Sequence, residues 1–336
     1  MSDAIRSAIA WIAADWGSSN LRAWAMDADD RVLAEVQSDT GMLSLTPNEY
    51  ELALLRLIGK WLPEKGQTQV IVCGMAGARQ GWKEAPYLTA PASLAELANG
   101  AVAPLISCPQ LRVSLLPGVR QLAREGATFD VMRGEETQLA GLVASTPGFS
   151  GRVCLPGTHS KWATLRDGAL VGFTTFLSGE LYRLLGERSV LKHSVASALN
   201  AADLTQDAHR DAFVTAVKEM SHTPHAFTSK LFGLRAQDLL DSEMPTNPER
   251  GTLLAARLSG LVIGLELAGI KVLPEPVTLI GSQALCQRYA LALETLGQPS
   301  QSIEGEEAVL GGLALAYRAL AESPDAATSS NDGVRS

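Results

Sequence analysis

Cysteines are scarce in this sequence. The four present, Cys73, Cys108, Cys154 and Cys286, lie far apart and form no CxxC pair. This spacing argues against a disulfide framework. Three of them sit in apolar runs, which predicts reduced cysteines in a hydrophobic core, as in a cytosolic protein.

Basic residues are also in deficit. The sequence has 28 lysines and arginines and 36 aspartates and glutamates, so the net charge is −8. Wholesale binding of nucleic acid needs a basic face, and the composition excludes it. Smaller anions can still be bound by backbone N–H groups and a few well-placed cationic side chains.

The sequence lacks a long apolar run without charges. The most apolar segment, Leu253–Ile270, contains Arg257 and Glu266, which favours a buried helix over a membrane span. The run Ala8–Ala14 is short and ends at Asp15, which is not typical of a signal peptide. The motifs GxxxxGK[ST] and GxGxxG are absent as well, which excludes a P-loop protein.

A repeated pattern dominates what is present. The chain has 336 residues, above the roughly 250–300 at which a single core stops growing, so two domains are expected. The order strand, polar turn, strand, turn, strand occurs twice, and Gly17 aligns with Gly157, 140 positions further on. This favours duplicated halves, although any two hairpins look alike at this length. The predicted strands are Ile9–Ala14, Leu21–Met26, Val32–Val36, Val153–Leu155, Trp162–Leu165 and Leu170–Thr174.

Further elements complete an α/β reading of the chain. Thr46, Pro47 and Glu49 have the spacing of a capping box and predict a helix start. Val70–Cys73 and Val277–Ile280 are short apolar runs typical of buried parallel strands. Helical periodicity covers residues 179–192, 207–221, 226–241 and 249–268.

Two polar turns are candidate phosphate sites. In the first, a strand ends at Asp15, and the turn then supplies close backbone approach and polar donors through Gly17, Ser18, Ser19 and Asn20. Asp15 can hold hydrated Mg²⁺, which prefers one or two carboxylates with phosphate oxygens and water. The alternative is a plain surface hairpin. The second turn offers donors and a cation through Gly157, Thr158, His159, Ser160 and Lys161. His159 could instead act as a nucleophile or metal ligand.

Three other segments carry candidate chemistry. Glu135 and Glu136 open a helix, where acids suit the helix dipole, and either could be a general base. Arg79, in the small-residue loop 74–83, suits a carboxylate, unless that loop is only a mobile surface segment. Gly281 and Ser282 follow a predicted strand, a common nucleotide position in α/β folds.

Several long runs of the chain resemble a known family. The turn at Asp15–Arg22, the turn at Gly157–Lys161 and the run Thr278–Gln283 resemble the two phosphate motifs and the adenosine motif of the actin–hexokinase–chaperone superfamily. Over about 310 residues the chain is similar to the 2-dehydro-3-deoxygalactonokinase family. The matching runs are Ala14–Arg22, Gly74–Tyr87, Met132–Gln138, Leu155–Trp162 and Thr174–Leu184.

The resemblance implies a fold and a reaction. The fold is α/β, with two ribonuclease-H-like domains (a three-stranded meander plus parallel strands and helices) and a cleft between them. We expect domains at 1–135 and 136–322, the last helix being free to pack back on the first domain, and a disordered tail at 323–336. The reaction is phosphorylation of the 6-hydroxyl of 2-dehydro-3-deoxy-D-galactonate by ATP and Mg²⁺. A cytoplasmic enzyme, with a homodimer possible and no nucleic-acid or membrane partner, is implied.

The resemblance also suggests roles for individual residues. Glu136 falls on the superfamily's catalytic Asp, which makes it the expected base, with Glu135 second. The second turn lacks the superfamily's second Asp, which leaves Asp15 as the metal partner, and Arg22 joins the nucleotide site. Substrate binding is expected of Arg79, Gln80, Trp82, Arg133, Thr175 and Glu180. The alternatives are a kinase of another small sugar or sugar acid, and a non-catalytic sugar sensor or actin-like filament protein.

Overall fold

A computed structural model describes residues 3–270 and 274–322 of the chain. The predicted tail, 323–336, lies outside these described residues. The strands are β1 Trp11–Trp16, β2 Leu21–Met26, β3 Val32–Ser38, β4 Thr68–Gly74, β5 Tyr87–Thr89, β6 Ala92–Ser93, β7 Leu111–Leu115, β8 Gly118–Gln121, β9 Asp130–Met132, β10 Gly151–Leu155, β11 Ser160–Arg166, β12 Ala169–Phe176, β13 Val277–Gly281 and β14 Ser300–Glu304. The helices are α1 Asp3–Ala8, α2 Tyr50–Ile58, α3 Glu135–Ser145, α4 Ser178–Arg188, α5 Lys192–Val195, α6 Asp207–His222, α7 Phe227–Leu240, α8 Glu249–Ala268, α9 Gln283–Thr295 and α10 Gly305–Glu322.

The chain forms two compact units. Among the described residues, unit 1 comprises 3–150, 164–173 and 305–322, and unit 2 comprises 151–163, 174–270 and 274–304. Glu135 and Glu136, at the boundary expected from the sequence, both lie inside unit 1. The chain passes from one unit to the other within β11 and again within β12. Of the predicted site residues, those numbered up to 136 belong to unit 1 and those from 157 to 282 to unit 2.

Unit 1 is built on a five-stranded sheet in the order β3-β2-β1-β4-β7. The first three strands form an antiparallel meander, while β4 and β7 are parallel to β1 and to each other. This confirms the predicted meander and the predicted buried strand at Val70–Cys73. Alternate residues of β1 enter two different cores, Ile12 and Ala14 on one face and Trp11 and Ala13 on the other, because successive strand side chains point to opposite faces.

Helices cover both faces of this sheet. After the confirmed capping box at Thr46 and Glu49, α2 buries Tyr50, Leu54 and Ile58 at helical spacing on one face. On the other face α10 packs against α3. A Cβ added at Gly141 would lie 1.8 Å from the carbonyl oxygen of Ala308, so the two helix backbones touch directly. This contact fixes α3, whose first residues carry the paired glutamates.

Unit 2 repeats the same strand order. Its strands run β14-β13-β10-β11-β12, with β10, β13 and β14 parallel. The second meander and the strand at Val277–Ile280 are therefore confirmed, and a common origin of the two halves stays a hypothesis. The first residues of β12 belong to unit 1, where Ala169 and Leu170 pair with β6.

The helices of unit 2 pack around α8. This 20-residue helix is long and apolar enough to cross a membrane by composition, with a mean hydropathy of 1.5. Most of its residues are buried inside the unit. A Cβ at Gly260 would lie 2.3 Å from the carbonyl oxygen of Phe213 in α6, so α6 and α8 cross closely. The prediction of a buried core helix is confirmed.

Candidate active site

In unit 1, three segments converge at the carboxyl ends of β1 and β4. Gly74 ends β4 with φ +85°, and a Cβ there would lie 2.6 Å from the carbonyl oxygen of Trp16 and 3.4 Å from Oδ1 of Asp15. Gly134, with φ +107°, precedes α3, and a Cβ there would lie 3.5 Å from Cα of Gly74. Glycine is needed at both positions because L side chains rarely adopt such backbone angles.

Asp15 is held on both of its carboxylate oxygens. Nη2 of Arg22 donates to Oδ2 of Asp15 over 2.8 Å, and the thiol of Cys73 lies 3.7 Å from Oδ1. The guanidinium of Arg22 also lies 3.6 Å from Glu306 and 5.2 Å from the ring centroid of Trp24. Arg22 therefore orients Asp15 through a direct ion pair, a contact that the hairpin register alone did not define.

Backbone hydrogen bonds hold the turn after Asp15 in place. The N–H of Gly17 donates to the carbonyl of Asn20, and the N–H groups of Met42 and Leu43 donate to the carbonyls of Gly17 and Ser18 over 3.1 and 3.0 Å. The residues Ser18, Ser19 and Asn20 are exposed. This arrangement leaves the polar side chains predicted for phosphate binding on the outer face of a rigid turn.

The paired glutamates occupy opposite environments. Glu136 is fully buried, and both of its carboxylate oxygens accept from the N–H of Gly134, over 2.9 and 2.8 Å. Glu135 is partly exposed and accepts from the N–H of Arg133 over 3.1 Å. Neighbours on a helix point about 100° apart, which explains the difference.

Burial shifts the pKa values of two side chains at this site, Glu136 and Cys73. It raises the pKa of Glu136 to about 7, and the adjacent charge of Glu135 is the next largest cause. Burial also raises the pKa of the Cys73 thiol well above its usual range, and the charges of Asp15 and Glu136 are the next largest causes of this rise. The thiol, which lies 3.7 Å from Oδ1 of Asp15, therefore stays protonated beside that carboxylate.

The predicted substrate residues of unit 1 fall into two groups. The guanidinium of Arg133 stacks 4.3 Å from the ring centroid of Tyr87, and Nη2 donates to the carbonyl of Ala85 over 2.8 Å. Its Nε and Nη1 atoms are buried without a hydrogen-bond partner among the described residues. By contrast, Arg79 and Gln80 are exposed.

Trp82, one of the predicted substrate residues, is partly exposed and packs against the aromatic core of unit 1. Its ring stacks on Tyr50 at 5.9 Å and meets Trp16 edge-on at 6.0 Å between centroids, so it packs against the unit 1 core. Its N–H donates to the carbonyl of Ala76 over 2.8 Å. The loop is thus hydrogen-bonded to itself and anchored by an aromatic side chain, which opposes the reading of a mobile surface segment.

In unit 2, the second turn is joined to the start of α4. The N–H of Glu180 donates to the carbonyl of Thr158 over 2.9 Å, and Nε2 of His159 lies 2.7 Å from Oε2 of Glu180. A Cβ at Gly179 would lie 2.4 Å from the carbonyl oxygen of Gly157. His159, which was predicted to bind the nucleotide, and Glu180, which was predicted to bind the substrate, therefore contact each other. Thr175 lies partly exposed on β12, in the same unit.

Two residues that were predicted to bind the nucleotide, Ser160 and Lys161, are buried. Ser160 is 0% exposed, and its hydroxyl donates to Oε1 of Glu266 over 2.8 Å. Its side chain faces the interior because β11 begins there and alternate residues of a strand point inward. Lys161 is 4% exposed, and its Nζ donates to the carbonyl of His159 over 3.3 Å.

A cavity of about 450 Å³ adjoins this turn within unit 2. Apolar and aromatic side chains line it together with polar and charged ones, which include Arg183, Glu187 and Arg288. This mixture suits a small-molecule site. Gly281 lies beside Pro156, where an added Cβ would be 3.5 Å from its carbonyl oxygen, and Ser282 caps α9. The other lining residues include Gly157, Thr158, Ser178, Gly179, Tyr182, Leu199, Val262, Ile263, Leu285 and Tyr289.

The sequence did not reveal most of this cavity. Its walls come from α4, α8, α9 and the segment around Leu199, and such residues share no local motif. A larger depression of about 910 Å³, along α9 and residues 297–300, contains none of the predicted site residues. The smaller cavity is the one that borders the turn.

Metal binding would rest on very few protein ligands. No group of three or more His, Cys, Asp or Glu side chains arranged to hold a metal occurs within residues 3–270 and 274–322. Asp15, a single carboxylate at a strand end, fits Mg²⁺ only together with water and ligand oxygens, which is how Mg²⁺ is usually bound beside phosphates.

The two α/β units share one strand order, and each has a polar turn after its first strand. The family model described as 2-keto-3-deoxy-galactonokinase matches residues 15–316, and the chain belongs to this family. A kinase family implies the use of ATP.

Individual relatives agree with this membership. The chain is 39% identical to "Probable 2-dehydro-3-deoxygalactonokinase DgoK1" of Rhizobium meliloti, over 92% of this chain and 97% of that protein. It is 32% identical to the 2-dehydro-3-deoxygalactonokinase of Escherichia coli, over 93% and 98%. A crystal structure of a "putative 2-dehydro-3-deoxygalactonokinase protein" from Sinorhizobium meliloti superposes with a TM-score of 0.81 at 39% identity, covering 92% of this chain and 96% of that one.

Proposed function

We propose that this protein is an ATP-dependent kinase that phosphorylates the 6-hydroxyl of 2-dehydro-3-deoxy-D-galactonate. The observation that carries the proposal is the meeting of Asp15 with the start of α3 at Gly74, where an added Cβ would lie 3.4 Å from Oδ1 of Asp15 and a Cβ on Gly134 would lie 3.5 Å from Cα of Gly74. It stands beside membership of a family whose relatives bear that activity in their names.

The nucleotide site is proposed for unit 2. The cavity of about 450 Å³ suits an adenosine group, and the turn at Gly157 and Thr158 borders it. The exposed edge of this turn offers backbone N–H groups and the His159 ring for phosphate oxygens. Gly281 and Ser282 lead into α9, whose residues Ala284 and Leu285 line the cavity.

Unit 1 is proposed to supply the acid–base and metal groups. Bound Mg²⁺ would neutralise developing charge on the phosphates, and Asp15 would hold its water shell, with Arg22 orienting the carboxylate. Glu136, with a pKa of about 7, suits a general base that accepts the proton of the sugar-acid hydroxyl near neutral pH. Because Glu136 is fully buried, this role requires a movement that uncovers its carboxylate. Glu135 is the second candidate.

Substrate recognition is proposed for cationic side chains of unit 1. Arg133 has buried N–H groups without a partner among the described residues and a ring of Tyr87 against its guanidinium. Arg79 is exposed on the neighbouring loop. Either can bind the carboxylate of a sugar acid, since guanidinium and carboxylate groups match in shape and charge. The enzyme would act in the cytoplasm on a small sugar acid.

A direct assay tests the proposal. The purified protein is mixed with ATP, Mg²⁺ and a panel of 2-keto-3-deoxy acids, and ADP release and the position of the new phosphate are measured. We expect turnover to be highest with 2-dehydro-3-deoxy-D-galactonate. Higher turnover with another acid or sugar would show that the protein is a kinase of different specificity. ATP binding without turnover on any acceptor would favour the sensor or filament alternative.

A further inference from the structure

Glu266 is the most completely hydrogen-bonded buried carboxylate among the residues that the structure describes. It lies near the end of α8 and is 2% exposed. Its Oε1 accepts from Nε1 of Trp162 over 2.6 Å and from the hydroxyl of Ser160 over 2.8 Å. Its Oε2 accepts from the hydroxyl of Tyr289 over 2.8 Å and from that of Ser178.

These four donors come from three different elements. Ser160 and Trp162 lie at the start of β11, which overlaps the end of the 157–161 turn, Ser178 is the first residue of α4, and Tyr289 lies on α9. Ser178 and Tyr289 also line the cavity of about 450 Å³. One carboxylate therefore joins the turn, the start of α4 and one wall of the cavity.

Burying the carboxylate of Glu266 in the core costs free energy. A buried carboxylate loses its hydration and is tolerated only when its oxygens are hydrogen-bonded. Burial raises the pKa of Glu266, and the donors, led by Ser178, lower it. Burial likewise raises the pKa of Tyr289, and the charge of Glu266 is the next largest cause of this rise. The Tyr289 hydroxyl therefore stays protonated and donates.

The contacts around Ser178 show what the network holds in place. The next residue, Gly179, touches the backbone of Gly157, and Glu180 follows with its N–H on the carbonyl of Thr158. A displacement of Ser178 would move Gly179 and Glu180 away from the turn. The close approach leaves no room for a side chain at Gly179, so the position of α4 and the position of the turn depend on each other.

We infer that Glu266 is a positioning residue that fixes the 157–161 turn against the start of α4 and so sets the affinity of unit 2 for the nucleotide. The inference rests on the proposed function, which places the nucleotide in the adjoining cavity. Glu266 itself does not contact the turn's exposed edge. It acts through Ser160, Ser178 and Tyr289.

The test compares two substitutions of Glu266 with opposite expectations. In Glu266→Gln the amide oxygen can accept from Trp162 and Ser160, and the amide nitrogen can donate to the hydroxyls of Ser178 and Tyr289. Glu266→Leu removes every acceptor. We expect Glu266→Gln to keep KM for ATP within about threefold of wild type and Glu266→Leu to raise it at least about tenfold. KM for the sugar acid should change by less than about twofold in both.

A second pair of variants keeps the test decisive if Glu266→Leu does not fold. The double variant Ser178→Ala with Tyr289→Phe removes both donors to Oε2 and leaves the carboxylate in place. Its control is Ser194→Ala, which removes a buried hydroxyl that donates to Asp238 over 2.8 Å, away from the cavity. We expect only the double variant to weaken ATP binding, measured by calorimetry without sugar acid.

Two results would overturn the inference. One is a folded Glu266→Leu variant whose ATP affinity equals that of wild type. The other is an equal rise of KM for both substrates, which is the mark of general destabilisation. Failure of the proposed function is separate, since wild-type protein would then bind ATP in the calorimeter yet release no ADP with any acid.

Discussion

Nη2 of Arg22 donates to Oδ2 of Asp15 over 2.8 Å, across the second residue pair from the turn of the β1–β2 hairpin. The hairpin register places these two residues opposite each other, and the ion pair fixes the carboxylate at the strand end. Arg22 is itself steadied by Glu306 and by the face of Trp24. An aspartate oriented in this way suits a metal that is bound mainly by water and phosphate.

The first prediction concerns Asp15→Asn. We expect the Mg²⁺ concentration for half-maximal turnover to rise at least about tenfold, because a neutral amide is a poorer partner for hydrated Mg²⁺ than a carboxylate. The measurement is a Mg²⁺ titration of ADP release. Asp30→Asn is the matched control, since Asp30 also pairs with an arginine, Arg318, at the opposite end of β1. Unchanged Mg²⁺-dependent ATP binding in Asp15→Asn would refute the metal role.

The second prediction separates the two glutamates. Glu136→Gln should lower kcat by roughly 10²–10⁴-fold while ATP still binds, because a general base is lost. Glu135→Gln, one residue away, is the control and should keep kcat within about tenfold. Steady-state kinetics with both variants decide the assignment. Near-normal turnover in Glu136→Gln together with a large loss in Glu135→Gln would move the base to Glu135.

The third prediction follows from the pKa of Glu136, raised to about 7 by burial. Between its unfolded pKa near 4.5 and 7, the folded protein binds more protons than the unfolded chain. This contribution to the free energy of unfolding is therefore present below about pH 4.5 and is lost as pH rises to 7. The full contribution, for a shift of about 2.5 pKa units, amounts to about 3 kcal/mol.

Denaturant unfolding at several pH values checks this. Other groups also titrate, so the quantity to compare is the difference between wild type and Glu136→Gln. We expect this difference to change by about 2–3 kcal/mol between pH 5 and pH 8, in the direction that favours wild type at pH 5. A difference that does not vary with pH would show that Glu136 is not a buried group with a raised pKa. The kcat of wild type should likewise rise with a midpoint near pH 7.

The fourth prediction concerns the pair His159 and Glu180, whose side chains are 44% and 38% exposed. We expect His159→Ala to raise KM for ATP a few-fold and to keep most of kcat, because a half-exposed contact between polar side chains contributes about 1 kcal/mol or less. Glu180→Ala should have a similar effect, and the double variant should add little. Loss of turnover in His159→Ala, with phosphohistidine in wild type after incubation with ATP, would instead identify a nucleophile.

The fifth prediction concerns the contact of α3 with α10. A Cβ at Gly312 would lie 1.9 Å from the carbonyl oxygen of Thr137, so Gly312→Ala must push the helices apart. We expect the free energy of unfolding to fall by at least about 2 kcal/mol. The control is Gly233→Ala on α7, where no atom lies within 4 Å of the added Cβ, and a gain of up to about 1 kcal/mol is expected. Equal effects in thermal unfolding would contradict the contact.

Local sequence signals predicted much of the fold. Strand periodicity gave both meanders, and the capping box at Thr46 and Glu49 formed as expected. Four predicted helices of unit 2 agree with the structure to within a few residues. The strands β5 to β9 were missed, because they are short and lie in a proline-containing stretch whose pairing partners are distant in sequence. The roles of the site residues remain predictions.

The sequence by itself determined the turn at Asp15, its counterpart at Gly157 and the glutamates at the start of α3. Each depends on a few neighbouring residues and on backbone geometry that glycine permits. Only the tertiary structure decided that Glu136 is buried while Glu135 is not, that Ser160 faces Glu266, and that Trp82 packs on Tyr50. Burial and long-range contacts depend on which distant elements pack together, and no local spacing encodes them.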